Sequence, residues 1–334
     1  MIVKLSDELF VDEALHRDLK YLITTINKRE HIPVYRAGIL DNIPDLDEKD
    51  RELFEYYESY MVVGDEKQPH CIVVKKAATI HNEKIFDIEE AIRYIGSPLY
   101  ILVENSANDS PFLLTILSAY TKSRDAYEKG KLSFSNSGGW GNAEKYLREK
   151  LQQNNGRNKF LRYFVLLDSD KKYPDDLVIK KYDNLISFLK ENNIGWHILE
   201  KRCMENYLPI KAFPQRESNE DWIKAFISMS LQQRDYMNIG GGFSKDASAV
   251  CVQSGENIEK QKLSDSKQQD FYSDVPPKNF QRLWYGYKLS SFKNDFPKGF
   301  NNGLVNRKTL DDIQNHQKEP YELQILAETI AEMI

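Results

Sequence analysis

The rhythm of apolar positions changes near residue 97. Before it, apolar residues come in short runs. "YESYMVVGDEK" (57–67) and "HCIVVKKAATI" (70–80) have the β-branched, partly alternating pattern of strands. "DIEEAIRYIG" (87–96) opens on Asp87 as N-cap, spaces Ile88, Ala91, Ile92 and Ile95 along one helical face, and stops at Gly96. The pattern predicts a small α+β region over residues 1–95.

From residue 97 the runs lengthen and alternate in type. "PLYILVEN" (98–105) is almost continuously apolar, as a strand buried on both faces must be. "SPFLLTILSAYTKS" (110–123) follows, with Ser110 as N-cap and Pro111 at the first helical position. "KLSFSNSGGWGN" (131–142) reads as a second strand ending in a glycine turn, and "NAEKYLREKLQQN" as a helix starting from it. "RYFVLLDSD" (162–170) is a third strand. "DLVIKKYDNLISFLKENN" (176–193) is a third helix, and "GWHILEKRCMENYLP" (195–209) a fourth strand running into a loop or short helix. This alternation predicts an α/β fold, a mainly parallel sheet with helices on its faces, over residues 96–212.

Residues 213–334 read as mainly helical. "NEDWIKAFISMSLQQR" (219–234) predicts one helix, residues 239–279 predict long loops, and "EPYELQILAETIAEMI" (319–334) predicts an amphipathic helix whose stripe docks on this chain or on a second copy. "NFQRLWYGYKLSSFKNDF" (279–296) mixes basic and aromatic residues, a pattern read first as packing and second as nucleic-acid contact.

The strands of the central region deliver acids to one edge. Glu104 ends the first, with Asp109 in the loop after it. Asp168 and Asp170 end the third, and Glu200 and then Glu205 follow the fourth. Ligands of parallel sheets collect beyond the carboxyl ends of the strands. Clustered carboxylates repel unless a cation neutralises them, and an oxygen-rich set with no nearby histidine suits Mg²⁺ or Mn²⁺. In an extended chain Asp168 and Asp170 point the same way. Lys171 and Lys172 stand ready for a phosphate.

Each position also has a plainer reading. Asp168 and Asp170 serve equally as turn formers, and Glu205 and Asn206 as the cap of a short helix. Tyr207 reads as packing, His197 as a strand residue, and Trp140 and Trp284 as core. Gly138 and Gly139 either make a tight turn or cradle a phosphate at a helix N-terminus. Lys201 and Arg202 are a solvated pair or a phosphate clamp.

Glu104 at a strand end, then "DSD", then "EKRCMENYLP", in that order, resembles the TOPRIM domain. The likeness is to the TOPRIM of OLD-family nucleases and of compact phage-defence effectors such as that of the PARIS system. It covers about residues 97–212, and "SNSGGWGN" resembles the glycine turn after the second strand of such domains. The resemblance implies metal-dependent phosphodiester chemistry in which Glu104, Asp109, Asp168, Asp170 and Glu205 hold Mg²⁺ or Mn²⁺. Glu104, Asp168, Asp170 and Lys201 act catalytically, and Gly138, Gly139, Lys171, Lys172 and Arg202 meet phosphate. Asn105 stands where the family has glycine, and asparagine tolerates the left-handed backbone that glycine supplies. Asp109 sits one residue later than the usual spacing. No Walker A loop is present, since "GGWGN" lacks the Gly-Lys-Ser/Thr ending. By family analogy, the implied protein is a toxic nuclease cutting DNA or RNA, tRNA included, and controlled by a regulatory partner such as an ATPase. The alternatives are a primase- or topoisomerase-like protein and a catalytically silent interaction module.

Composition narrows the setting. In 334 residues, 41% are hydrophobic and 29% charged, and the net charge is −5, so any nucleic acid is met by a local patch or by metal and not by a global basic field. The three cysteines, Cys71, Cys203 and Cys251, are too far apart for a CxxC zinc site or a disulfide framework. With no apolar run near ~20 residues and no secretory pattern at the N-terminus, the expected location is the cytoplasm.

Overall fold

The computed structural model describes residues 1–58, 71–78, 84–247 and 263–334. It holds two four-stranded sheets. The first has the order β2 (Ile32–Val34), β1 (Ile2–Leu5), β3 (Cys71–Val74), β4 (Ile85–Phe86). Its paired strands all run parallel, so residues 1–95 form an α/β region and not the α+β region the sequence predicts. Parallel neighbours need crossovers, and the helices His16–Lys28 and Glu48–Glu58 lie in the connections between these strands. Most of the strand predicted at 57–67 lies outside the described residues, and residues 57–58 end the second of those helices. Asp87 caps the helix Ile88–Gly96 as predicted, accepting the Glu90 N–H at 2.8 Å. Val3, Ile23, Phe54, Ile72, Phe86 and Ala91 pack into one core between sheet and helices.

The second sheet has the order β6 (Leu132–Asn136), β5 (Leu99–Val103), β7 (Tyr163–Leu167), β8 (Gly195–Ile198), again parallel throughout. All five residues of β7 are buried. Alternation along the strands feeds two cores. Val165 and Leu167 pack against Leu147, Leu185 and Leu189 of the helices Trp140–Gln153 and Asp183–Glu191. Ile101, Phe164 and Leu166 share the opposite core with the helix Ser106–Tyr120 and with the C-terminal region. The helical C-terminal segment is therefore fused to the second sheet through one continuous core.

Several elements shift from their expected bounds. The helix after β5 begins at Ser106 and carries Pro111 inside it, because Asn105 is the N-cap, its side chain accepting the Ala107 N–H. The helix expected over 176–193 opens as a 3-10 turn, Leu177–Tyr182, before Asp183–Glu191. Residues 219–234 hold two helices, Glu220–Ile227 and Leu231–Tyr236, since Ser230 and Gln233 form a reciprocal capping box and start a new helix. The loops expected at 239–279 contain a helix, Ser266–Phe271. The helix Glu322–Met333 turns Leu323, Leu326, Ala327 and Ile330 into the core, so its apolar stripe docks within the chain. Residues 279–296 pack, with Phe280, Leu283, Trp284, Tyr287 and Phe296 all buried.

A Cβ on Gly286 would lie 1.9 Å from the Gly240 carbonyl oxygen. Backbone cannot yield as a side-chain tip can. Gly286→Ala is expected to destabilise by at least the ~1–3 kcal/mol typical of overpacking, read as an earlier midpoint in urea unfolding.

Candidate metal site at the strand ends

Of the acids singled out by sequence, Glu104, Asp109, Asp168, Asp170 and Glu205 gather at the carboxyl edge of the second sheet. Asp168 follows the last residue of β7, and its Oδ1 accepts the Met204 N–H at 3.1 Å. Tyr182 donates its hydroxyl to the Asp168 carbonyl at 2.8 Å. Asp109 lies in the first turn of the helix Ser106–Tyr120, where its Oδ2 accepts the Asn105 N–H at 2.9 Å. Glu205 sits in the 3-10 turn Met204–Tyr207. Glu104 is exposed directly after β5.

These groups feel one another. Burial, then Glu205 and Glu104, push the Asp109 carboxyl up to about 7. Burial, then Glu205, Asp109 and Asp170, push Asp168 well above the usual carboxylate range. Both keep some surface open to solvent yet are crowded by protein on most sides. None of Glu104, Asp109, Asp168 and Glu205 has an ion-pair partner among the described residues. The cation touching the cluster is Lys181, whose ammonium bonds Asp170 Oδ2. Cys203 lies beside Glu205 and Asp168, and its thiol is pushed up by burial and by those two acids. Sequence reading missed Lys181, Tyr182 and Cys203. The first two fall in a 3-10 turn that helical periodicity does not resolve, and a lone cysteine carries no spacing signal.

Lys181 compensates Asp170 alone, and the all-carboxylate donor set fits a hard divalent cation in its chemistry. Its side chains do not converge as a finished cage: among the described residues, no group of three or more His, Cys, Asp or Glu is placed to hold an ion.

The "DSD" turn departs from the extended geometry expected of it. β7 ends at Leu167, Ser169 is fully buried with its hydroxyl donating to the Lys201 carbonyl at 2.7 Å, and Asp170 takes a left-handed φ of 55°. Asp170 stays near Asp168 because its N–H donates to the Arg202 carbonyl at 2.9 Å, which folds the turn back. Asn105 shows the reverse. It is extended at φ −143° and holds its turn by capping, with no left-handed residue needed.

The basic residues assigned to phosphate or catalysis have other partners. The Lys201 ammonium is buried and donates to Asp235 Oδ1 at 2.7 Å and to the Ile313 and Asn206 carbonyls, which uses its three N–H groups. Burial lowers its pKa, which Asp235 partly offsets. Arg202 makes a buried fork with Asp246, at 2.7 and 2.9 Å. Neither is placed as a phosphate clamp or catalytic base, and both are structural. Lys172 lies 4.0 Å from Asp246, and the Lys171 N–H bonds Ser169 Oγ at 3.3 Å. Glu200 turns from the cluster, accepting the Lys318 and Glu319 N–H groups at 3.0 and 3.1 Å. Tyr207 is fully buried, bonded to Glu322, and packs as expected. His197 lies in β8 and bonds Glu322 at 2.8 Å.

Gly138 and Gly139 make the turn before the helix Trp140–Gln153, at φ 69° and 109°. No acidic side chain lies in the first turn of that helix. Trp140, expected in the core, is 38% exposed. Its ring stands edge-on to Tyr182, with Lys181 5.1 Å from the ring centroid.

The raised carboxyls set a pH dependence. Asp109 holds its proton in the folded chain up to about 7, whereas an unfolded chain releases it near ~4. Its contribution to stability is complete below the unfolded value and fades as pH rises through the folded one. With chelator present, the denaturation midpoint is expected to fall between about pH 5 and about pH 8, and Asp109→Asn to remove part of that slope.

Comparison with family models, with curated proteins and with solved structures finds no match to this chain. No helix among the described residues is long and apolar enough to cross a membrane.

Proposed function

We propose that this chain is a divalent-cation-dependent nuclease of the TOPRIM kind, with Mg²⁺ or Mn²⁺ held among Glu104, Asp109, Asp168, Asp170 and Glu205. The observation that carries the reading is the gathering of carboxyls from three strand ends, where burial first and neighbouring acids second raise Asp109 and Asp168 above the ordinary carboxylate range. Glu104, Asp109, Asp168, Asp170 and Glu205 would hold the ion, which would supply Lewis-acid activation of a phosphodiester and of water. The chain's own groups set the rest. The Met204 N–H and the Asn105 N–H fix one oxygen each of Asp168 and Asp109. Lys181 orients Asp170. The exposed Trp140 offers a face for a nucleobase, and the Gly138–Gly139 turn leaves a helix N-terminus for a phosphate. The resemblance extends this to a toxic effector of bacterial anti-phage defence, restrained by a partner protein.

A second reading is a silent interaction module. It is favoured by the side chains falling short of a finished metal cage. The deciding experiment incubates plasmid, single-stranded DNA and tRNA with the protein and Mg²⁺, Mn²⁺ or chelator. Induction in cells, with total RNA and chromosomal DNA inspected for breaks, accompanies it. Metal-dependent breaks that vanish in Asp168→Ala support the nuclease; identical behaviour of the two proteins sinks it.

A further inference from the structure

Among the described residues, β8 is the terminal strand of its sheet and pairs with β7 alone. In a parallel ladder, alternate residues turn their backbone groups to one neighbour. The Leu199 N–H donates to the Leu167 carbonyl at 2.9 Å, so Trp196, Ile198 and Glu200 turn theirs outward. The Glu200 N–H is taken by Glu322 Oε1 at 2.7 Å. The outward groups of Trp196 and Ile198 form a short free edge.

A cleft of about 810 Å³ lies beside that edge, with His197, Ile198, Leu199 and Glu200 in its wall. Its lining is net acidic: Asp175, Glu200, Asp235, Glu319 and Glu322 face Lys171 and Lys318, with Lys201 behind Asp235. His316 Nε2 lies 2.6 Å from Asp235 Oδ2. Among the described residues, His316 Nδ1 and Gln317 Oε1 are buried without a hydrogen-bond partner. Ile179, Ile198 and Ile325 add apolar surface.

A free strand edge supplies main-chain pairing, while a net-acidic cleft selects a cation-bearing side chain. We infer that the cleft receives an extended, basic segment of a partner protein, added as a further strand on β8. Behind the wall, Lys201 bonds Asp235 and Tyr207 bonds Glu322. Both belong to the stretch 200–207 that also carries Glu205. An occupant of the cleft thereby bears on the segment that places Glu205 in the acid cluster. This regulatory consequence rests on the nuclease reading, whereas the docking itself does not.

The test titrates the full chain with a labelled peptide of about eight residues alternating lysine and valine, the length a strand edge accommodates. Anisotropy reads binding, and amide hydrogen exchange reads the edge. Expected are saturable binding, slowed exchange at Trp196 and Ile198, and at least a tenfold loss of affinity in Asp175→Lys/Glu319→Lys, both exposed positions. Equal binding of a glutamate–valine peptide, unprotected Trp196 and Ile198 amides, or affinity unchanged in the double variant overturns the inference. So does spermidine displacing the peptide completely at equal charge concentration, since charge alone then suffices. A chain that binds the peptide but cleaves nothing sinks only the nuclease reading; one that cleaves and ignores the peptide sinks only the docking.

Discussion

Asp168→Asn is expected to make the protein more stable and catalytically dead. The native carboxyl is crowded by protein and pushed up by burial and by Glu205, Asp109 and Asp170. An amide of the same shape removes the charge, and its oxygen still accepts the Met204 N–H that Asp168 accepts at 3.1 Å. Relief from burying and crowding this carboxyl is worth about 1 kcal/mol at a partly open site, which for a chain of this size raises Tm by roughly 1–2 °C. On the proposed nuclease reading, cleavage should fall by about 10³-fold or more, since a lost metal ligand forfeits several kcal/mol of transition-state stabilisation at about 1.4 kcal/mol per decade. Scanning calorimetry in chelator and a Mn²⁺-dependent cleavage assay give the two readings. Opposite signs mark a site held in tension for function. A loss of both makes Asp168 a structural turn former, the plainer reading of its sequence.

The second large effect is structural. Arg202 and Asp246 form a two-bond pair in the interior, and Gln268 Nε2 donates to Asp246 Oδ2 at 2.9 Å. Burial would raise Asp246, but the Arg202 guanidinium holds it below the ordinary carboxylate value. Asp246→Ala leaves the guanidinium buried without its counter-charge, a loss of about 3–5 kcal/mol. The Arg202 carbonyl accepts the Asp170 N–H, so the turn carrying Asp170 should loosen as well. Denaturant unfolding measures the first effect, and faster exchange of the Asp170 amide the second. Arg202→Met with Asp246→Leu is expected to recover most of the stability, because a well-packed apolar pair often equals a buried ion pair.

What could be read in advance follows from which signals are local. β5 and β7 were legible because strands buried on both faces are continuous apolar runs. The acids at their ends were legible because chain position places them at one edge. The 3-10 turn Leu177–Tyr182 was not legible, since its apolar residues also fit an α-helical period. With it went Lys181, which only the folded chain brings to Asp170. Lys201 and Arg202 were misread for a related reason. Their partners Asp235 and Asp246 are far away in sequence, and a basic dipeptide beside acids looks the same whether it faces solvent or the interior. Pro111 misled by its usual place in a first turn, although Asn105 had already started that helix.

The helix Glu322–Met333 is tied in at both ends. Glu322 accepts bonds from Tyr207 and the Glu200 N–H, while Arg162 donates to the Met333 and Ile334 carbonyls at 2.8 and 3.1 Å. Strands made early in translation thus wait for a segment made some 120 residues after β8. A ribosome that has released β8 but not this helix carries a complete sheet without its last support. Synthesis itself then acts as a timer: Glu200 and Tyr207 gain their shared partner only once the last helix has been made.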